Sequence, residues 1–236
     1  MAQSTTDFSA IRAITFDCYG TLVDWETGIL KALRPILSAH GVQIGDAELL
    51  ALYGEIEVEA EAGEFHPYRE VLRNVVRGFG QRLGFTATVA QQNSLPDSLA
   101  NWRPFPDTVA ALQQLRSRFQ LGIISNVDDD LFASTAPQLQ TKFDFVVTAG
   151  QSRAYKPSPK IFQLASQKIG VPASQWLHAG QSVYHDVIPA QALGLKTVWV
   201  NRASPRPGGA VKLASGKPDV EVRTVRELAN LLLENR

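Results

Sequence analysis

Apolar residues fall along this chain in two rhythms. In the first, short runs rich in β-branched residues are apolar almost throughout: residues 11–16 (IRAITF), 120–125 (QLGIIS), 144–148 (DFVVT), 176–180 (WLHAG) and 195–200 (LKTVWV). Runs of this kind predict strands covered on both faces, as in a parallel sheet. In the second, apolar positions recur three and four apart near 106–118, 129–139, 158–169 and 184–193, which predicts helices. Strand alternating with helix predicts an open α/β fold with right-handed crossovers. Ligands of such sheets bind at the carboxyl ends of the strands.

One segment breaks the alternation. From about residue 24 to 103 the pattern is helical only: LKALRPILSAHG, AELLALYGEIEVEAEAG and PYREVLRNVVRGFGQRLG each space apolar residues by three and four. Pro35 is expected to kink the first of these, and Gly41, Gly63 and Gly84 to stop helices. The chain therefore divides into a core of residues 8–23 and 104–236 and a helical cap of residues 24–103 inserted after the first strand, with Arg103–Pro106 (RPFP) as the return hinge. Residues 204–219 form a Pro/Gly-rich loop before a last short strand and helix.

Composition narrows the setting. Hydrophobic residues are 44% and charged residues 19% of 236, which suits a packed globular protein. Lys plus Arg and Asp plus Glu are 23 each, so no general field draws the chain to nucleic acid or to an anionic membrane; an anion site would have to be local. A single cysteine, Cys18, excludes an internal disulfide, and the N-terminal MAQSTTDFSA lacks the features of a signal peptide. No apolar run approaches the roughly 18–20 residues of a membrane span. The expectation is a cytoplasmic enzyme acting on a small molecule.

The strongest local signal for chemistry is FDCYGTL, Phe16–Leu22, which sets Asp17 at the end of a buried strand before Gly20 and Thr21. A carboxylate there is either a turn cap or a covalent nucleophile. Three further strand ends favour the nucleophile. The second carries Ser125 and Asn126, the third leads through AGQSRAYKPSP to Lys156 before Pro157, and the fourth ends in AGQSVYHD with Gln181, Ser182 and Asp186. A parallel sheet gathers all four ends at one edge, giving two carboxylates, small anion donors and an ammonium.

This constellation, in this order, resembles the haloacid dehalogenase superfamily, whose motifs match at Asp17, Ser125, Lys156 and Asp186. The resemblance covers nearly the whole chain. It implies a Rossmann-like core, a parallel sheet flanked by helices, with a helical cap after the first strand, and it is compatible with a homodimer formed through cap helices. Two positions separate the family's branches. Phosphatases carry an acid two residues after the nucleophile, where this chain has Tyr19, and read G-D-S where it has Gly180-Gln181-Ser182. A phenol is a poor general acid near neutrality, and magnesium prefers anionic oxygens, so no metal or other cofactor is expected. The site resembles the L-2-haloacid dehalogenase branch, which often begins D-x-Y-G-T-L. That resemblance implies attack by Asp17 on the halogen-bearing carbon of a short 2-haloacid, then hydrolysis of the aspartyl ester. Lys156 would keep Asp17 ionised, and Asp186 would position Lys156 and polarise the water. Thr21 and Ser125 would bind the substrate carboxylate or the nucleophile, and Asn126 would face the halide, helped by backbone N–H groups at the helix start after Ser125. Tyr19, Gln181, Ser182 and Trp25 would line the substrate site, with Trp25 equally readable as interface packing.

Departures accompany the match. Those dehalogenases grip the halide with an Arg early in the cap, where this chain is acidic: Glu55, Glu57, Glu59, Glu61 and Glu64. Arg69, Arg73 and Arg77 share one helical face and offer a substitute, although a solvated face is the commoner reading. Val183 stands where an Asn is carried, and Phe162 where a Tyr is. The Gln-Ser-x-x-His-Asp form of the fourth motif resembles a group labelled type II haloacid dehalogenase. His185 reads mainly as structural, His66 as a helix-start residue and Cys18 as packing. Asp128, Asp129 and Asp130 read as a cluster complementing their own helix dipole. Two competing functions stay open: a magnesium-dependent phosphatase of small metabolites, and a degenerate small-anion-binding member of the family.

Overall fold

The computed structural model describes residues 7–205 and 210–234. The expectations for residues 1–6, 206–209 and 235–236, which include the middle of the Pro/Gly-rich loop, lie outside the described residues. The apolar runs form strands β1 (Ala13–Phe16), β2 (Gln120–Ser125), β3 (Phe145–Thr148), β4 (Trp176–Gly180) and β5 (Lys196–Val200), and a short β6 (Val220–Val222) follows the loop. They pair in parallel in the order β3-β2-β1-β4-β5-β6. β1 and β4 are buried at every position, because helices cover both faces. On one side, α5 (Thr108–Arg116) and α10 (Val225–Glu234) place Leu112, Leu115, Leu228 and Leu232 in one apolar cluster with Ile14 and Phe16. On the other, α8 (Pro159–Ile169) and α9 (Ile188–Ala192) bring Ile161, Phe162 and Ala190 against Ala13, Ile124 and Val147.

Between β1 and β2 the chain forms α1 (Trp25–Ala39), α2 (Asp46–Glu61), α3 (Tyr68–Leu83) and α4 (Val89–Ser98). α1 runs on through Pro35 without a break, so the expected interruption is absent. Helix α4 was not singled out by periodicity, since QQNS and Pro96 blur its apolar face. Its start is marked instead by a capping box in which Gln91 N donates to Thr88 Oγ1 at 3.2 Å and Thr88 N to Gln91 Oε1 at 2.8 Å. Ile29, Leu33, Tyr53, Leu72, Val76 and Trp102 of this segment join the cluster that holds Phe16 and Leu22, so helices and sheet share one core.

Polar contacts fix the helices over the sheet edge, and they correct the reading of two charged groups. Asp128 precedes α6 (Asp129–Thr135) but makes no side-chain cap bond to it. Its two oxygens accept instead from Tyr68 N and Arg69 N, each at 2.9 Å. The amino end of α3 is the nearer set of unsatisfied N–H donors, and it draws the carboxylate. Arg69 then pairs with Asp130 at 2.9 Å and Asp97 at 3.0 Å. Arg73 donates to Asn93 at 2.7 Å and pairs with Glu70 at 3.1 Å, and Arg77 donates to Gln92 at 2.9 Å. The arginine stripe binds α3 to α4 and to Asp130, and supplies no cation to the site described next.

Candidate active site

β1 lies at the centre of the sheet, between β2 and β4, so Asp17 emerges where the strand order reverses. A tight turn follows. Gly20 takes φ +91, and a side chain there would meet Trp25 Nε1 at 2.8 Å, so the loop closes only on glycine. Gly180 at the end of β4 is required for a different reason: a Cβ would lie 2.3 Å from Asp186 Cγ. Its absence lets Asp186 fold back over the strand from the π-helical turn Val183–Val187, which Ser182 caps by accepting from His185 N at 3.0 Å. That turn replaces the regular helix expected over 184–193, and α9 begins only at Ile188.

The side chains converge as the sheet edge requires. Lys156 Nζ donates to Asp17 Oδ1 at 2.8 Å, to Asp186 Oδ1 at 2.7 Å and to the Ile124 carbonyl at 3.0 Å. Thr21 Oγ1 donates to Asp17 Oδ2 at 2.9 Å and accepts from Gln181 N at 2.9 Å. The nucleophile candidate thus has a donor on each oxygen. Lys156 is 2% exposed; burial alone would lower its pKa, but the Asp17 and Asp186 carboxylates raise it above the ordinary value. Burial raises Asp17, and the Lys156 ammonium counters that rise. Burial also acts to raise Asp186, yet Lys156 and His178 outweigh it and hold that carboxyl far below the usual range.

Several residues sit differently from expectation. Asp186 bonds through Oδ1 to Lys156 and to His178 Nε2 at 3.2 Å and through Oδ2 to Ser182 N at 3.1 Å; it holds the lysine and lines the cavity. His178 was not singled out by sequence. It is buried in β4, bonded through Nδ1 to Thr15 Oγ1 at 2.8 Å and edge-on to Phe162, whose ring therefore backs the site. The amide of Asn126 grips the Lys156 backbone, accepting from its N at 2.7 Å and donating to its carbonyl at 3.3 Å. Asn126 places the lysine, although it also touches the cavity. Thr21 lies behind Asp17, off the cavity wall, so of its two expected partners it serves the nucleophile. α6 starts at Asp129, beyond the turn that follows Ser125, with acids in its first turn, so it presents no anion site there.

The cavity at this edge measures about 40 Å³ and is lined by Asp17, Tyr19, Trp25, Ser125, Lys156 and Gln181, among others. Trp25 meets Tyr53 edge-on at 5.7 Å, so it serves as cavity wall and as packing at once. Tyr19 donates to or accepts from Thr135 Oγ1 at 2.9 Å and packs edge-on against Trp102; burial raises its phenol further. Cys18, between Asp17 and Tyr19, is buried. His185 lines the cavity, with Nδ1 3.2 Å from Ser182 Oγ, and burial pulls its imidazole down to about 4. Sequence reasoning missed the helical wall, which consists of Glu57, Glu61 and Tyr68.

Comparison with known proteins agrees with this architecture. A family model for haloacid dehalogenase-like hydrolases matches residues 11–194. An (S)-2-haloacid dehalogenase of Pseudomonas fluorescens is 24% identical over 228 residues, spanning 95% of this chain and 98% of that protein. An N-acylneuraminate-9-phosphatase of Rattus norvegicus is 26% identical over 241 residues, spanning 95% and 94%. Among solved structures, the L-2-haloacid dehalogenase of Xanthobacter autotrophicus superposes with a TM-score of 0.80 at 20% identity, over 96% of this chain and all (100%) of that one. With the sheet order and the matched span in hand, the chain is a member of the haloacid dehalogenase-like hydrolase family.

Proposed function

We propose that this hydrolase displaces halide from a short 2-haloacid through a covalent ester on Asp17, without a metal, and that residues 24–103 act as the cap closing over a core of residues 8–23 and 104–236. The observation that carries the reading is the neighbourhood of Asp17. Lys156 and Thr21 hold its two oxygens at 2.8 and 2.9 Å, while the residue two positions on, Tyr19, commits its hydroxyl to Thr135. A nucleophile is in place, and no acid stands at that position to protonate an oxygen leaving group. Halide leaves without a proton. A carboxylate oxygen of Asp17 attacks the halogen-bearing carbon, the carbon–halogen bond breaks, and its electron pair departs on the halide. Water then adds to the ester carbonyl of Asp17, releasing a 2-hydroxy acid, a proton and the carboxylate. Asp186 and His185, the latter neutral near pH 7, both line the cavity as acceptors for that water. A cavity of about 40 Å³ suits a substrate of a few heavy atoms.

The donor set does not fit magnesium. Its two carboxylates, Asp17 and Asp186, already share the Lys156 ammonium, and Tyr19 and Gln181 are neutral. Among the described residues no group of three or more His, Cys, Asp or Glu is arranged to hold a metal ion. Among them, too, no helix is long and apolar enough to cross a membrane.

The test is halide release from chloroacetate, fluoroacetate and the 2-chloropropionate enantiomers, with and without chelator. Chelator-resistant release that Asp17→Asn abolishes, with an adduct on Asp17 seen by mass spectrometry, is the expected result. Magnesium-dependent release of phosphate from a generic ester, with no halide release, overturns the reading in favour of a phosphatase.

A further inference from the structure

Glu57 is a buried acid that the displacement described above leaves idle. It is 6% exposed, stands on α2 and lines the same cavity as Asp17. Its two oxygens are treated unequally. Oε1 takes two phenol protons, from Tyr53 at 2.9 Å and from Tyr68 at 2.6 Å. Oε2 has no protein donor or acceptor among the described residues. Oε2 is not fully buried, and Glu57 lines the cavity, so Oε2 is the oxygen left to meet a ligand there. The phenols therefore pin one oxygen and aim the other. With Oε1 occupied as an acceptor, the proton of the neutral acid sits on Oε2, where it is a single O–H donor facing the ligand space.

Charge in the cavity favours that neutral form. Asp17 lines it too, and the ammonium of Lys156 is spent on Asp17 and Asp186. Burial lifts Glu57 to about 7, against the pull of the two phenol hydrogen bonds and with a further push from Asp17.

We propose that Glu57, protonated and held by Tyr53 and Tyr68, is a catalytic hydrogen-bond donor to the departing halide, so that this cavity binds an anion only while Glu57 keeps its proton. This rests on the displacement reading given above. In the step, Asp17 forms the carbon–oxygen bond, the carbon–halogen pair leaves on the halide, and the Glu57 O–H points to that ion without transferring its proton. The titratable groups around Glu57 are Tyr53 and Glu61 on α2, Tyr68 on α3, Tyr155 and Lys156 between β3 and α8, Asp17 after β1, and His185 and Asp186 after β4.

Chloride binding, read from the line width of its NMR resonance, tests this without turnover. Wild-type protein is expected to broaden the line at about pH 6 and to lose affinity roughly tenfold per pH unit above about pH 7, the limit for one obligatory proton. Glu57→Gln, which keeps an N–H donor at every pH, should bind with a flat pH profile. Glu57→Leu should not bind, and Glu61→Gln should keep the wild-type slope. A wild type that is flat or silent at pH 6, a Glu57→Leu that binds normally, or a Glu61→Gln that abolishes the slope overturns the proposal. Normal halide release with no such titration removes Glu57's role alone. The titration without any halide release removes the displacement reading alone.

Discussion

Replacing Glu57 by glutamine should make the protein more stable, and only at neutral to alkaline pH. The isostere keeps the acceptor that Tyr53 and Tyr68 need and removes the charge. In the folded chain the carboxyl is raised from 4.5 to about 7, chiefly by burial. At about 1.4 kcal/mol per unit of pKa, ionising it inside the protein costs about 3 kcal/mol. Because the folded value lies above the unfolded one, the contribution of Glu57 to stability is whole below about pH 4.5. It is lost as pH climbs through about 7, and it does not change further above that. Thermal unfolding between pH 5 and pH 8 measures this. At pH 5 wild type and Glu57→Gln should agree within about 1 kcal/mol. At pH 8 the variant should be ahead by about 3 kcal/mol, or about 6–12 °C in Tm for a chain of this size. Parallel curves across that range would show that Glu57 ionises without penalty, and would refute the account of the helical wall as a dry, acidic surface.

Three other substitutions probe the remaining supports. Lys156→Met leaves Asp17 and Asp186 facing each other in a buried site, so we expect a loss of about 3–5 kcal/mol in denaturant unfolding, partly recovered in the double variant with Asp186→Asn. Asp128→Ala removes both acceptors from the amino end of α3; the expected cost is about 1 kcal/mol, with faster amide exchange at Tyr68 and Arg69 than in wild type. His185→Ala should slow ester hydrolysis more than ester formation, so that during turnover of 2-chloropropionate an adduct on Asp17 accumulates in the mass spectrum. An unchanged adduct level would remove His185 from that step.

The sheet was legible because its strands are buried on both faces, which leaves a nearly continuous apolar signature in β1, β2 and β4. The four strand ends followed from topology, since a parallel sheet must deliver Asp17, Ser125, Lys156 and Asp186 to one edge. What stayed hidden depends on contacts between distant segments. Asp128 read as a cap for its own helix, and only packing reveals that the amino end of α3 lies closer to its oxygens. Asn126 read as a ligand group, and its amide is taken up by the backbone of Lys156. Periodicity carried a clue to the helical wall. Glutamates alternate along GEIEVEAEAG, which looks like a solvated face when counted by charge. Counted by helical turns, Glu57 stands four residues after Tyr53 and eight after Leu49, on the inward stripe, whereas Glu55 and Glu59 are exposed. A charged residue on an apolar stripe is costly unless it is neutral or paired. The two phenols bonded to Glu57 supply hydrogen bonds and no positive charge, so a proton remains as its counterpart near neutral pH, and that proton faces the space where substrate would bind.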